Sequence, residues 1–118
     1  MILVDTSVWV DHLRKGNREL ASLLNEGVVL CHPFVMGELA CSHLKNRDEI
    51  LSLLEALPMS TVAGHEEALY LVSDRKLYGK GLGWIDIHLL ASALLSKSTL
   101  WTKDKALAAS ARALETGA

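Results

Sequence analysis

The chain has 118 residues, of which half are apolar, and it carries a formal net charge of −2 at pH 7. This length and apolar content predict a single domain, residues 1–118, with an adequate core. The weak negative charge means that the chain as a whole does not attract nucleic acid, but local basic patches could still do so.

The sequence predicts neither a membrane span nor a secreted protein. The longest apolar segment, residues 85–95, is too short for a span and carries Asp86 and His88. The N-terminus lacks the basic region and the small-residue cleavage site of a signal peptide. Cys31 and Cys41 suggest neither a disulfide framework nor a metal-type pair, which is typical of the reducing cytosol. We therefore expect a cytoplasmic protein.

Strands and helices alternate along the chain. The apolar run at residues 2–4 predicts a strand buried on both faces, and Thr6 and Ser7 follow it as N-cap residues of a helix. By the same criteria, strands are predicted at residues 2–4, 28–31, 59–62 and 98–102. Helices are predicted at residues 7–15, 18–26, 33–44, 47–57, 65–77, 84–95 and 105–114. This alternation indicates an α/β fold with a small parallel sheet between helices, and residues 115–118 are expected to fray.

Two acidic residues directly follow predicted strands. Asp5 ends the first strand, and Asp104 comes shortly after the last one. The carboxyl ends of parallel strands meet at one edge of the sheet, where ligands bind in open α/β folds. The alternative for Asp104 is an N-cap of the final helix.

Two further acids lie on helices in apolar company. Asp86 shares a helical stripe with Leu89 and Leu90, and Glu38 lies between Phe34 and Cys41. Burying a carboxylate among such side chains is costly unless a cation or hydrogen-bond donors compensate it. The alternatives are a helix cap for Asp86 and an ion-paired surface acid for Glu38.

The four acids together predict a metal site. Converging carboxylates repel one another and remain ionised mainly when a divalent cation neutralises them. A ligand set of oxygens without cysteine or histidine favours Mg²⁺ or Mn²⁺ over zinc. Such a site suits phosphodiester hydrolysis, because the metal activates water and stabilises charge on the phosphate.

The sequence resembles the PIN-domain ribonucleases, and in particular the VapC-type toxins of bacterial toxin–antitoxin pairs. Four pieces carry the resemblance in the family's order and spacing across nearly the whole chain. They are Val4-Asp5-Thr6-Ser7, Met36-Gly37-Glu38-Leu39, Gly83-Trp84-Ile85-Asp86 and Leu100-Trp101-Thr102-Lys103-Asp104.

The resemblance implies a PIN-like fold with a four- or five-stranded parallel sheet, and a metal-dependent endoribonuclease. The catalytic and metal-binding residues that it implies are Asp5, Glu38, Asp86 and Asp104, with Mg²⁺ or Mn²⁺ as the cofactor. Thr6 or Ser7 corresponds to a hydroxyl beside the metal. The candidate phosphate contacts are Lys80, Lys103 and Lys105, followed by Arg14 and Lys15, and the alternative for each is ordinary solvated surface charge. Thr6, Ser7 and Lys103 are taken as the substrate-binding residues.

The resemblance also implies an RNA substrate, a cognate antitoxin protein and a homodimer. Apolar side chains on the first helix and along residues 68–77 exceed what a small sheet would cover. Val8, Trp9 and Leu13 are expected to contribute to this surface, which would serve a homodimer or an antitoxin. The alternative is a well-filled core, and periodicity does not separate the two.

Three other classes of protein are alternatives to a ribonuclease. A phospho-acceptor signalling domain needs a second acid beside Asp5, and a haloacid-dehalogenase-type phosphatase needs one at Ser7; neither is present. In a non-catalytic binding module the four acids would be helix caps. Such caps would leave the stability of the fold indifferent to Mg²⁺, whereas a metal site would not.

Overall fold

A short parallel sheet with helices packed around it forms the fold, and the computed structural model describes residues 1–118. The strands are β1 (Ile2–Val4), β2 (Val29–Leu30) and β3 (Thr99–Trp101). The helices are α1 (Thr6–Lys15), α2 (Arg18–Asn25), α3 (Pro33–Cys41), α4 (Arg47–Glu55), α5 (His65–Asp74), α6 (Trp84–Ser96) and α7 (Lys105–Ala113). All seven predicted helices are present, with ends displaced by up to three residues. No helix combines the length and the apolar character needed to cross a membrane.

The strand order β2-β1-β3 places β1 in the centre of the sheet. Leu3 pairs with Leu30 on one side and with Leu100 on the other, both in parallel register. Because all three strands run in the same direction, their carboxyl ends meet at one edge. That edge receives Asp5 from β1 and the segment after Trp101 from β3.

The sheet has three strands, where the family resemblance implied four or five. The segment predicted as a strand at residues 59–62 makes only one isolated parallel bridge, between Met59 and Cys31. The Cys31 N–H donates to the Pro58 carbonyl and the Ser60 N–H donates to the Cys31 carbonyl, but the pairing ends there because α3 begins at Pro33 and takes the neighbouring chain out of the sheet. The Thr61 N–H, on the other side of the segment, donates to Ser96 Oγ at 2.8 Å. At the opposite edge, Gly117 forms a similar isolated bridge with Leu100.

The prediction that residues 115–118 fray was wrong. Thr116 is 6% exposed, and its hydroxyl donates to the Ser98 carbonyl at 2.6 Å. The Leu100 N–H donates to the Thr116 carbonyl, and the Ala118 N–H donates back to Leu100, at 2.7 and 3.2 Å. These bonds attach the tail to the outer side of β3.

The core is a single cluster to which the three strands and all seven helices contribute. Its most deeply buried helix is α6, in which every residue of Ile87–Ala93 is buried. Val8 and Trp9, which were expected on the surface, are 0% and 3% exposed and belong to this core. The reason is that α1 follows β1 without a loop, so that its first turn packs directly over the sheet.

A glycine pair tests the packed tail. A Cβ added at Gly117 would meet Arg112 Cγ at 2.7 Å and the Arg112 backbone N at 2.9 Å, whereas one added at Gly37, within α3, meets nothing within 4 Å. Gly117→Ala should therefore lower the free energy of unfolding by about 1–3 kcal/mol. Gly37→Ala should be neutral or raise it by about 0.5–1 kcal/mol. Urea denaturation measures both, and an unchanged Gly117→Ala would indicate a frayed tail.

Candidate functional site

Asp5 is the N-cap of α1, and its side chain is only 7% exposed. Its N–H donates to the Trp101 carbonyl at 2.9 Å, which fixes it at the ends of both β1 and β3. One carboxylate oxygen, Oδ2, accepts from the hydroxyls of Ser7 and Thr102, each at 2.7 Å, and from the Ser7 N–H at 3.4 Å. The cap was expected at Thr6 or Ser7; it is Asp5 because the carboxylate reaches the Ser7 N–H.

The two hydroxyls that bind Asp5 also hold the loop after β3. Ser7 Oγ accepts from the Lys103 N–H at 2.9 Å, and Thr102 Oγ1 accepts from the Asp104 N–H at 3.0 Å. Each hydroxyl thus accepts a hydrogen bond from this loop and donates one to the Asp5 carboxylate, so that the two hydroxyls link the loop to Asp5. Sequence reasoning missed Thr102, although its position just after β3 mirrors that of Asp5 after β1.

Asp104 and Asp86 both cap helices, as the alternative interpretation proposed. Asp104 Oδ1 accepts from the Leu107 N–H at 3.1 Å, at the start of α7. Asp86 Oδ2 accepts from the Gly83 N–H at 2.8 Å, at the start of α6. Since a carboxylate has two oxygens, a cap occupies only one of them.

Glu38 approaches the same edge of the sheet from α3. Its Oε1 accepts a hydrogen bond from the Thr6 hydroxyl at 2.7 Å, which ties α3 to the first turn of α1. Glu38 is exposed, and so is its neighbour Cys41, so the apolar burial suggested by the sequence is not found here. Its position beside α1 nevertheless brings the fourth acid to the other three.

The pKa of Asp86 reflects how close the four acids are. Burial raises it above the usual 3.8, and the Gly83 N–H partly opposes this effect. The negative charges of Asp5, Asp104 and Glu38 raise it further. Each of the three is therefore near enough to Asp86 for its charge to be felt.

The four carboxylates share a bonding pattern that suits a cation. In each of them, all the hydrogen bonds fall on a single oxygen. The other oxygen has no partner, and no lysine, arginine or histidine forms an ion pair with any of the four. Oxygen donors of this kind are the ligands that Mg²⁺ and Mn²⁺ prefer. The side chains are not grouped closely enough to form a ready-made metal cage, as expected for like charges that repel one another.

A groove of about 500 Å³ on α1 lies next to the acids, and we call it the basic groove; it is lined by Ser7, Val10, Asp11, Arg14, Lys15 and Lys103. The Lys103 ammonium pairs with Asp11 at 3.2 Å, and Lys15 pairs with the same carboxylate at 3.3 Å. The hydrogen bond from Lys103 is the main reason why the pKa of Asp11 lies below its usual value. Sequence reasoning missed Asp11, which lies one helical turn beyond Ser7 on the same face of α1.

Comparisons with known proteins show what the chain is similar to. The family described as PIN domain matches residues 2–113 of the chain. Relatives named Ribonuclease VapC32, from two strains of Mycobacterium tuberculosis, are 49% identical over 110 residues. The matched region covers 92% of this chain and 89% of each relative.

Two threonines of the β3 segment test the network around Asp5. Thr102→Val removes the donor to Asp5 and the acceptor for the Asp104 N–H, and it should lower the free energy of unfolding by about 1–3 kcal/mol. Thr99 makes no side-chain hydrogen bond, so Thr99→Val should change this free energy by less than about 0.5 kcal/mol. Urea denaturation measures both free energies, and an equal loss in Thr102→Val and Thr99→Val would contradict the role given to the Thr102 hydroxyl.

Asp86→Asn tests the repulsion among the acids, because asparagine keeps an oxygen for the Gly83 N–H but has no charge. The pKa of Asp86 is raised in the fold, so ionisation of this group costs stability above that pKa and costs none below the unfolded value near 3.8. Without metal at pH 7, the variant should be more stable than the wild type by up to about 1 kcal/mol. This advantage should disappear as the pH falls towards 3.8.

Mg²⁺ should reverse the order of the two proteins. A cation that binds only the folded wild type stabilises it by mass action, and Asp86→Asn should gain less. Thermal midpoints at pH 7, measured with chelator and with Mg²⁺, test this reversal. If Mg²⁺ moved neither midpoint, the four acids would act only as caps and tethers.

Proposed function

Since the chain belongs to the PIN-domain family, we infer that it is an endoribonuclease and the toxin of a toxin–antitoxin pair. The observation that carries this inference is the 49% identity to Ribonuclease VapC32 over 92% of the chain. A phospho-acceptor signalling domain has no comparable support. The capping roles of Asp86 and Asp104 do not favour a non-catalytic module, because each cap leaves one oxygen without a partner.

We propose that Asp5, Glu38, Asp86 and Asp104 hold Mg²⁺ or Mn²⁺ through these second oxygens. Asp5, Asp86 and Asp104 would bind the ion directly, and Glu38 would bind it directly or through water. When bound, the ion would make a water molecule more acidic and neutralise charge that develops on the phosphate and on the leaving oxygen. In hydrolysis, water adds to phosphorus and the bond to the leaving oxygen breaks.

The protein contributes rigid positions to this reaction. Three hydrogen bonds to Asp5 Oδ2 prevent that carboxylate from rotating, so its other oxygen keeps one direction. The Thr6 hydroxyl restrains Glu38 in the same way, through a single bond. Carboxylates that are oriented in advance lose little freedom when they engage a ligand, which favours the reactive geometry.

The basic groove is the proposed path of the RNA backbone. Arg14 makes no ion pair in the structure, while Lys15 and Lys103 share Asp11. The three cations exceed the single acid of the groove, so the local charge attracts phosphates although the whole chain is weakly acidic. Ser7 lines this groove, and its hydroxyl donates a hydrogen bond to Asp5. Substrate contacts are therefore proposed for Ser7, for its neighbour Thr6 and for Lys103.

The proposed partners are RNA, a cognate antitoxin and a second copy of the chain, all within the cytoplasm. The surface proposed for the second copy is an apolar face of α5 and α6. Leu69, Tyr70 and Leu95 are 45%, 70% and 46% exposed there. A groove of about 400 Å³, lined in part by Tyr70 and Leu95, continues this face. An apolar patch on a small domain is typical of symmetric self-association.

RNA cleavage tests the function directly. Purified protein should cut a total RNA pool in Mg²⁺ or Mn²⁺ but not in chelator. Asp5→Asn should lower the rate by about 100-fold or more, because a metal contributes several kcal/mol to the stabilisation of the transition state. The matched control is Asp74→Asn, an exposed acid paired with Arg75 at 3.4 Å, which should keep the wild-type rate. Wild-type cleavage by Asp5→Asn in saturating Mg²⁺ would contradict the proposed site.

Analytical ultracentrifugation tests the proposed dimer. Tyr70→Glu adds a third negative charge beside Glu66 and Glu67, so it should weaken self-association by about tenfold or more. The control, Tyr78→Glu, changes a similarly exposed tyrosine, 66% accessible, outside this groove. If the two variants had the same mass as the wild type, a different surface or a monomer would be indicated.

A further inference from the structure

A second groove borders the acids on the side of α3, and we call it the aromatic groove. Its volume is about 630 Å³, and its lining includes Phe34, Gly37, Glu38, Trp84 and Ile85. Trp84 is 40% exposed and Phe34 is 36% exposed. Glu38 belongs both to this groove and to the proposed metal site, and Trp84 precedes Asp86 by two residues. A molecule in the groove is therefore adjacent to the acids.

The two exposed rings are held in place by buried histidines. His88, only 4% exposed, packs edge-on against Phe34 at 4.8 Å and against Trp84 at 4.7 Å between ring centroids. His32, fully buried, also packs edge-on against Phe34, with the ring centroids 5.1 Å apart. His65, which is exposed, lies against Trp84 with the ring centroids 5.3 Å apart. Rings fixed in this way lose little side-chain entropy when a ligand stacks on them.

The charge of the aromatic groove selects against phosphate. Its lining contains no lysine, arginine or histidine, and its one charged residue is Glu38. The basic groove, in contrast, contains Arg14, Lys15 and Lys103. The acids thus border a groove with three cations and a second groove that is mainly apolar and aromatic. This division matches a nucleotide, which has an anionic phosphate at one end and an uncharged π-face at the other.

We propose that Trp84 and Phe34 stack a nucleobase of single-stranded RNA, that of a nucleotide next to the cleaved phosphate. This proposal rests on the ribonuclease function and deepens it, because it makes the aromatic groove a specificity-determining subsite. Aromatic side chains contribute about 1–3 kcal/mol per stacked base and accept any base that has room. A base-paired nucleotide keeps its faces within its own helix, so the subsite favours unpaired RNA.

The experiment uses Trp84→Leu and Trp84→Phe in the full-length protein. Leucine keeps apolar bulk without a π-face, whereas phenylalanine keeps a π-face. Each variant is compared with wild type on a short single-stranded RNA that contains a mapped cleavage site. A second RNA of the same sequence has an abasic nucleotide beside the cleaved bond. Thermal unfolding confirms that each variant is folded.

Stacking predicts that Trp84→Leu lowers kcat/KM on the intact RNA by about tenfold and that Trp84→Phe restores most of it. On the abasic RNA, wild type and Trp84→Leu should differ by less than about twofold, because the base that stacks is missing. Wild-type kcat/KM for Trp84→Leu on intact RNA would overturn the proposal, and so would an equal loss on both RNAs. Trp84→Leu that cuts RNA normally but binds the antitoxin poorly would assign the groove to that protein instead.

Binding separates this proposal from the function on which it rests. The same RNAs are titrated into Asp5→Asn, with and without Trp84→Leu, so that no cleavage is needed. Trp84→Leu should lower the affinity for the intact RNA but not for the RNA that lacks the base beside the cleaved bond. A total lack of cleavage by the wild type would contradict the ribonuclease function, whereas base-independent binding would contradict stacking alone.

Discussion

The three hydrogen bonds to Asp5 Oδ2 hold the rest of the site in place. A buried carboxylate costs several kcal/mol unless it is compensated, and hydrogen bonds to a charged group contribute about 1.5–3 kcal/mol each. The donors come from both ends of the chain: Ser7 on α1, and Thr102 after β3. One anion therefore joins the central strand, the first helix and the loop that leads to Asp104. The loop carries Asp104, and the first helix carries Thr6, which binds Glu38, so the junction also positions these two acids.

In each of the four acids, the structural hydrogen bonds fall on one of the two carboxylate oxygens. One oxygen of Asp86 and of Asp104 begins a helix, and one oxygen of Glu38 attaches α3 to Thr6. The second oxygen has no protein partner, and no positive side chain neutralises the group. A helix cap and a metal ligand are often treated as competing explanations for an acid, but in this site they are compatible. The capping bonds fix the direction of the oxygen that remains.

The sequence was sufficient for the features that depend on local pattern. Alternating apolar runs predicted the helices and the parallel sheet, and the position of Asp5 and Asp104 after strands predicted that both follow the carboxyl ends of β1 and β3. It was insufficient for contacts between residues that lie far apart in the sequence. The Thr102 hydroxyl meets Asp5 across 97 positions of sequence, and the Lys103 N–H meets Ser7 across 96. The packed tail at Thr116 depends in the same way on a contact with β3, which no periodicity within residues 115–118 records.

The two isolated bridges have a consequence for recognition. An exposed strand edge invites another chain to add a strand, which is a common way to capture a peptide and a common route to aggregation. Here Met59 already pairs with Cys31 beyond β2, and Gly117 pairs with Leu100 beyond β3. An incoming strand would have to displace a segment of the protein itself at either edge. β-augmentation is thereby disfavoured, and recognition of other macromolecules is left to side chains on the helices and loops.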